Sequence, residues 1–133
     1  MAEWILLVDD DSDLRDQMKA QFTKAGYQVT AVESAAEAEK VLASSTPDLA
    51  VFDLMLEEAD SGFTLCHRTK RVHPNLPIIM LSGVAGETGM AFDATTEAER
   101  SWLKADVFLN KPVRFEQLLR ESQRLLQLKS GKQ

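Results

Sequence analysis

The chain has 133 residues, a net charge of −6 at pH 7 and one cysteine, Cys66. This length suffices for one domain with its own core, and the composition of 44% hydrophobic and 27% charged residues is that of an ordinary globular protein. The negative charge and the lack of a Lys/Arg-rich run argue against nucleic-acid binding, and no apolar stretch reaches the ~18 residues of a membrane span. A lone cysteine and an N-terminus without a signal-peptide pattern favour a cytoplasmic protein.

The first part of the chain predicts two strands, each followed by a helix. An apolar run at 4–8 has no polar alternation and is typical of a strand buried on both faces. The helix after it takes Asp11 or Ser12 as its N-cap. A shorter strand at 27–32 precedes a second amphipathic helix at 34–44.

The central strand ends in a carboxylate. Its apolar run at 49–52 leads directly into Asp53, which has no place in the interior of a buried strand. Asp53 is therefore expected at the carboxyl end of the strand, where open α/β sheets bind their ligands. A loop then leads to a helix predicted at 63–72, and a further buried strand is predicted at 77–81.

The last third begins with an unusually long connection. Residues 84–95 are rich in Gly, Ala and Thr and exceed the usual length of a loop. A short helix is expected from there to residue 103. A strand at 107–109 and a final amphipathic helix at 114–129 complete the chain.

The alternation of five strands with about five helices predicts an α/β fold with a parallel sheet and helices on both faces. One domain is expected over 1–129, with 130–133 as a loose tail. Several polar residues fall at the carboxyl ends of predicted strands: Asp9, Asp10, Asp53, Ser82 and Lys111. Because those ends meet at one edge of a parallel sheet, they predict a functional site there.

The chemistry of these residues suits phosphoryl transfer. The three acids form an oxygen-rich pocket of the kind that Mg²⁺ prefers, and Mg²⁺ also binds phosphate oxygens. Lys111 would add a second positive charge, while the Ser82 hydroxyl and the Gly83 N–H would donate hydrogen bonds to a phosphoryl group. The carboxylate of Asp53 is a nucleophile that can form an acyl phosphate.

These motifs resemble the receiver domain of two-component response regulators. The motifs are Val8-Asp9-Asp10, Asp53 at its strand end, the run 77–83 and Lys111-Pro112, and the resemblance covers about 5–126. It implies a flavodoxin-like five-stranded sheet of order 2-1-3-4-5 and phosphorylation by a histidine kinase or phosphotransfer protein. It also implies a signalling phosphoacceptor rather than an enzyme. Such a domain is expected to signal to a downstream protein, as a monomer or weak homodimer, without direct contact with nucleic acid or membrane.

The resemblance assigns a role to each motif residue, with Asp53 as the phosphoacceptor. The implied Mg²⁺ ligands are Asp10, Asp9 directly or through water, Asp53 and the main-chain carbonyl of Met55. The implied phosphoryl-binding and switch residues are Lys111, Ser82, Gly83 and the aromatic Phe108. The sequence departs from the family pattern at two places that bear on partner recognition. Glu57 stands where the family usually has proline, and the stretch from Ser82 to Lys111 is longer than usual.

Three other protein classes share parts of this pattern. A haloacid-dehalogenase-type phosphatase needs a second Asp two residues after its nucleophile, where this chain has Met55. A flavodoxin binds phosphate in a loop after the first strand, and the acids at 9–11 would repel that phosphate. A non-phosphorylated pseudo-receiver that acts as a docking module normally lacks the acceptor, the acid pair or the lysine, and this chain has all of them. If the chain is complete, its output is expected through protein contacts or onward phosphotransfer.

Overall fold

The computed structural model describes residues 3–53, 61–82, 105–111 and 113–130, without the side chains at 61–63, 82, 129 and 130. Its strands are β1 (Trp4–Val8), β2 (Gln28–Val32), β3 (Leu49–Asp53), β4 (Ile78–Ser82) and β5 (Val107–Asn110). Its helices are α1 (Ser12–Lys24), α2 (Ala35–Ser44), α3 (Ser61–Val72) and α4 (Phe115–Ser130). The strands pair in parallel in the order β2-β1-β3-β4-β5, which confirms the predicted fold class.

Each face of the sheet carries its own hydrophobic cluster, because successive side chains of a strand point to opposite faces. Ile5 and Leu7 of β1 pack with residues of α1 and α4, whereas Leu6 and Val8 pack with residues of α2 and α3. From Ile5 onward β1 is buried on both sides, as β3 is along its whole length. This double burial explains the unbroken apolar runs in the sequence.

Local hydrogen bonds set the starts of the first two helices. The side chain of Asp11 accepts from the N–H groups of Asp13 and Leu14, at 3.1 and 3.2 Å. Ser34 accepts in the same way from the N–H of Glu37, at 3.1 Å. All three bonds satisfy N–H groups that have no partner within the helix. The predicted cap at Ser34 is confirmed, and of the two candidates for the first helix Asp11 is the cap.

The start of α3 was predicted wrongly. The helix begins at Ser61 rather than at 63, so that Gly62 lies in its first turn instead of ahead of it. Glycine lowers helix propensity but does not forbid helical backbone, and sequence pattern therefore places such a boundary poorly. The other strand and helix boundaries that were predicted by number, within the described residues, lie within one residue of prediction.

The expected short helix ending at 103 and the long connection at 84–95 lie outside the described residues. Among the helices in the described ranges, none combines the length and the apolar character needed to cross a membrane.

Candidate functional site

A lysine joins the ends of three strands at one edge of the sheet. Asp53 is the last residue of β3, Asp9 follows β1 and Lys111 follows β5. Lys111 Nζ lies 3.2 Å from Asp53 Oδ2 and 3.3 Å from Asp9 Oδ2. Since β4 separates β5 from β3, the long lysine side chain has to reach across one strand to meet both acids.

The three predicted acids form one cluster. Asp9, Asp10 and Asp53 each offer a carboxylate oxygen within 4.8 Å of the others. Asp9 and Asp53 are buried, whereas Asp10 is exposed, so the cluster opens to solvent on the side of Asp10. Hard oxygen donors with one open side fit Mg²⁺, which takes one or two carboxylates and completes its shell with waters and phosphate oxygens. The cluster is therefore consistent with a divalent metal site.

The charges of the cluster support the same interpretation. Burial lowers the pKa of Lys111, but attraction and hydrogen bonds from Asp53 and Asp9 outweigh it and raise that pKa above its ordinary value. The ammonium is therefore charged at neutral pH. Three acidic side chains and one lysine give the cluster a formal charge of −2. A divalent cation neutralises that charge.

Asp9 is held from several sides by groups that sequence reasoning missed. Its own N–H donates to the Val32 carbonyl at 3.2 Å, and its Oδ1 accepts the N–H of Asp11 at 2.9 Å. Its main-chain carbonyl accepts from Arg15 Nη1 at 2.8 Å. The one sequence signal for Arg15 is its place in the first turn of the helix that directly follows the acids.

The other predicted site residues are described in part. Ser82 ends β4 opposite Asn110 of β5, so its backbone lies at this same edge, but its side chain is outside the described part. Phe108 lies in β5 and packs, partly buried, against the hydrophobic cluster under α2 and α3. Met55 and Gly83 lie outside the described ranges.

Comparison with known proteins places this chain in a recognised class of domain. The chain matches the family model of the response regulator receiver domain over residues 5–123. It is 38% identical over 125 residues to the transcriptional regulatory protein GltR of Pseudomonas aeruginosa, with 92% of this chain and 48% of that protein covered. It is 32% identical over 127 residues to the virulence transcriptional regulatory protein PhoP of Salmonella typhimurium, with 96% and 53% covered. The chain thus spans about half the length of these curated relatives.

A solved structure shares the fold along nearly the whole chain. The response regulator receiver domain protein (CheY-like) from Methanospirillum hungatei JF-1 superposes with a TM-score of 0.84 at 25% identity, and 97% of each chain is covered. The parallel five-stranded arrangement described above is therefore that of a receiver-type domain.

Proposed function

Since this chain belongs to the response regulator receiver domain family of two-component systems, we propose that it accepts a phosphoryl group on Asp53 beside a bound Mg²⁺ ion. The observation that carries the proposal is the contact of Lys111 Nζ with Asp53 Oδ2, next to the acids Asp9 and Asp10. In this geometry a buried carboxylate pairs with an ammonium group and lies beside two further acids, which supports a phosphoacceptor next to a cation-binding pocket.

The proposed reaction is a transfer from a phosphohistidine, or from a small acyl phosphate, to the Asp53 carboxylate. An Asp53 oxygen attacks phosphorus, the bond from phosphorus to the donor atom breaks, and its electron pair stays on the donor. Lys111 then pairs with the phosphoryl oxygens, because it already lies within reach of Asp53. Asp9, Asp10 and Asp53 would hold the metal together with the Met55 carbonyl, and the ion would offset charge on the phosphoryl oxygens.

The proposed output is a change of protein contacts. Ser82, Gly83 and Phe108 respond to the new phosphoryl group, and a downstream protein recognises the result. The phosphoryl donor is a histidine kinase or a phosphotransfer protein, and the domain acts in the cytoplasm as a signalling phosphoacceptor rather than as an enzyme. With a net charge of −6, we expect no direct contact between this domain and nucleic acid, and a monomer or weak homodimer in solution.

The test is the mass of the intact chain after incubation with acetyl phosphate and Mg²⁺. Wild type is expected to gain one phosphoryl group and Asp53→Asn to gain none. Asp13→Asn is the matched control, because Asp13 is an exposed acid in the first turn of α1 and should leave the gain intact. A full gain in Asp53→Asn places the acceptor elsewhere, and no gain in wild type favours the docking module.

A further inference from the structure

Arg15 touches the acid cluster through the backbone rather than through a carboxylate. It lies half-buried in the first turn of α1, and its Nη1 donates to the main-chain carbonyl of Asp9 at 2.8 Å. A guanidinium hydrogen bond to a carbonyl is charge-assisted and is made by a rigid planar group. The proposed phosphoryl transfer gives this residue no role.

The contact fixes the peptide unit that joins two of the acids. The Asp9 carbonyl and the Asp10 N–H belong to one planar group, so a bond to the oxygen fixes the direction in which the chain leaves toward Asp10. The Asp9 carboxylate has its own anchors in the Asp11 N–H and Lys111. Asp10 is exposed, and packing does not hold its carboxylate in place.

We propose that Arg15 is a positioning residue that orients the Asp9–Asp10 peptide so that both carboxylates face one Mg²⁺ ion. The inference rests on the metal site in the proposed function. Contacts of this kind, which orient ligands without touching the metal, typically change metal affinity by about 10–100-fold.

The positive charge of Arg15 acts in the opposite direction. A guanidinium beside the acids repels an incoming cation, so removal of the charge alone would strengthen Mg²⁺ binding. Loss of the hydrogen bond weakens binding if the peptide has to be held in place. The sign of the change in affinity therefore separates a positioning residue from a neighbouring charge.

The experiment is a Mg²⁺ titration of the 133-residue chain, followed by the backbone amide shifts of Asp10 and Asp11. Arg15→Met removes both the charge and the donors and is expected to weaken Mg²⁺ binding by about 10-fold or more. Lys19→Met, an exposed position of the same helix, removes one positive charge as a matched control and should leave the affinity within about twofold. Hydrogen exchange of the Asp11 N–H without metal is a second measurement, expected to be faster in Arg15→Met because that N–H donates to Asp9 Oδ1.

Equal or tighter Mg²⁺ binding by Arg15→Met, with wild type binding normally, overturns the role of Arg15 and leaves the metal site intact. Failure of wild type to bind Mg²⁺ overturns the metal site itself. If Arg15→Met does not fold, Arg15→Gln decides, since it removes the charge and its side chain ends two bonds short of the position of Nη1. Weaker binding by that variant supports positioning, and unchanged affinity overturns it.

Discussion

Lys111 is expected to stabilise the metal-free protein because its one positive charge pairs with two acids that water hardly reaches. The side chains of Asp9 and Asp53 are 0% and 6% exposed, and the same ammonium lies within 3.3 Å of both. In Lys111→Met the two carboxylates would remain buried, but residue 111 would no longer supply a positive charge beside them. One of them then has to take up a proton or draw in water, and either change costs stability.

The size of the effect follows from the distances. Two unit charges 3.2 Å apart, as in the pair of Lys111 with Asp53, attract by about 5 kcal/mol at an effective dielectric constant of about 20. Breaking a buried pair by removing one partner typically costs about 3–5 kcal/mol. Because 22% of the Lys111 side chain is exposed, water replaces part of the attraction. We therefore expect a loss of about 3 kcal/mol in the free energy of unfolding.

Urea unfolding of the metal-free protein near neutral pH measures this loss. At a slope of about 2 kcal/mol per molar, the midpoint should fall by roughly 1.5 M. Lys70→Met is the matched control, since its ammonium lies 3.0 Å from an acid, Asp106, whose side chain is 36% exposed. Asp106 also keeps its hydrogen bond from the Ile78 N–H at 2.9 Å, so the control should lose no more than about 1 kcal/mol.

Two further conditions sharpen the test. Added Mg²⁺ should reduce the deficit of Lys111→Met, because the ion supplies the missing positive charge. The pKa of Lys111 is raised in the folded state, so its stabilisation is complete below the unfolded pKa of about 10.4 and is lost as pH rises through the higher folded value. The gap between wild type and variant should therefore be constant from about pH 7 to 9 and close only in strong alkali. Equal losses in the Lys111 and Lys70 variants would refute the reasoning.

Three other predictions test the edge of the site and the core. Asp10→Asn should weaken Mg²⁺ binding about tenfold or more. The stability of the metal-free protein should stay equal or rise slightly, because the change relieves repulsion among the acids. An unchanged Mg²⁺ affinity in the amide-shift titration contradicts the first expectation. Cys66 is fully buried, and burial raises the pKa of its thiol to about 12. A thiol reagent should therefore label it only as the chain unfolds in urea, and fast labelling of the folded protein would contradict this. Phe22→Ala should lower the free energy of unfolding by about 3–5 kcal/mol, since Phe22 is fully buried. Its ring also packs edge-to-face against that of Phe115, with the ring centroids 5.0 Å apart. The control Val72→Ala, at a residue that is 70% exposed, should change the free energy of unfolding by no more than about 0.5 kcal/mol. Similar losses in both variants would contradict the packing argument.

Much of the fold was predictable because its signals are local. The runs at 5–8 and 49–52 identify buried strands from hydrophobic pattern alone, and the caps at Asp11 and Ser34 bond to N–H groups two or three residues away. The grouping of Asp9, Asp10 and Asp53 was predictable in a weaker sense. Their place at strand ends, with the rule that parallel strands end at one edge, was enough to expect them together.

The sequence by itself thus determined the fold class, the family and the edge at which the acids gather, because hydrophobic period, capping and strand-end position are properties of short segments. Only the tertiary structure decided that Asp9 is buried while its neighbour Asp10 is exposed, since a residue's burial depends on what packs against it. It also decided that Lys111 reaches across β4 to two acids and that Arg15 turns back to the Asp9 carbonyl. Such contacts depend on side-chain reach and on the spacing of whole elements, which no pattern of neighbouring residues encodes.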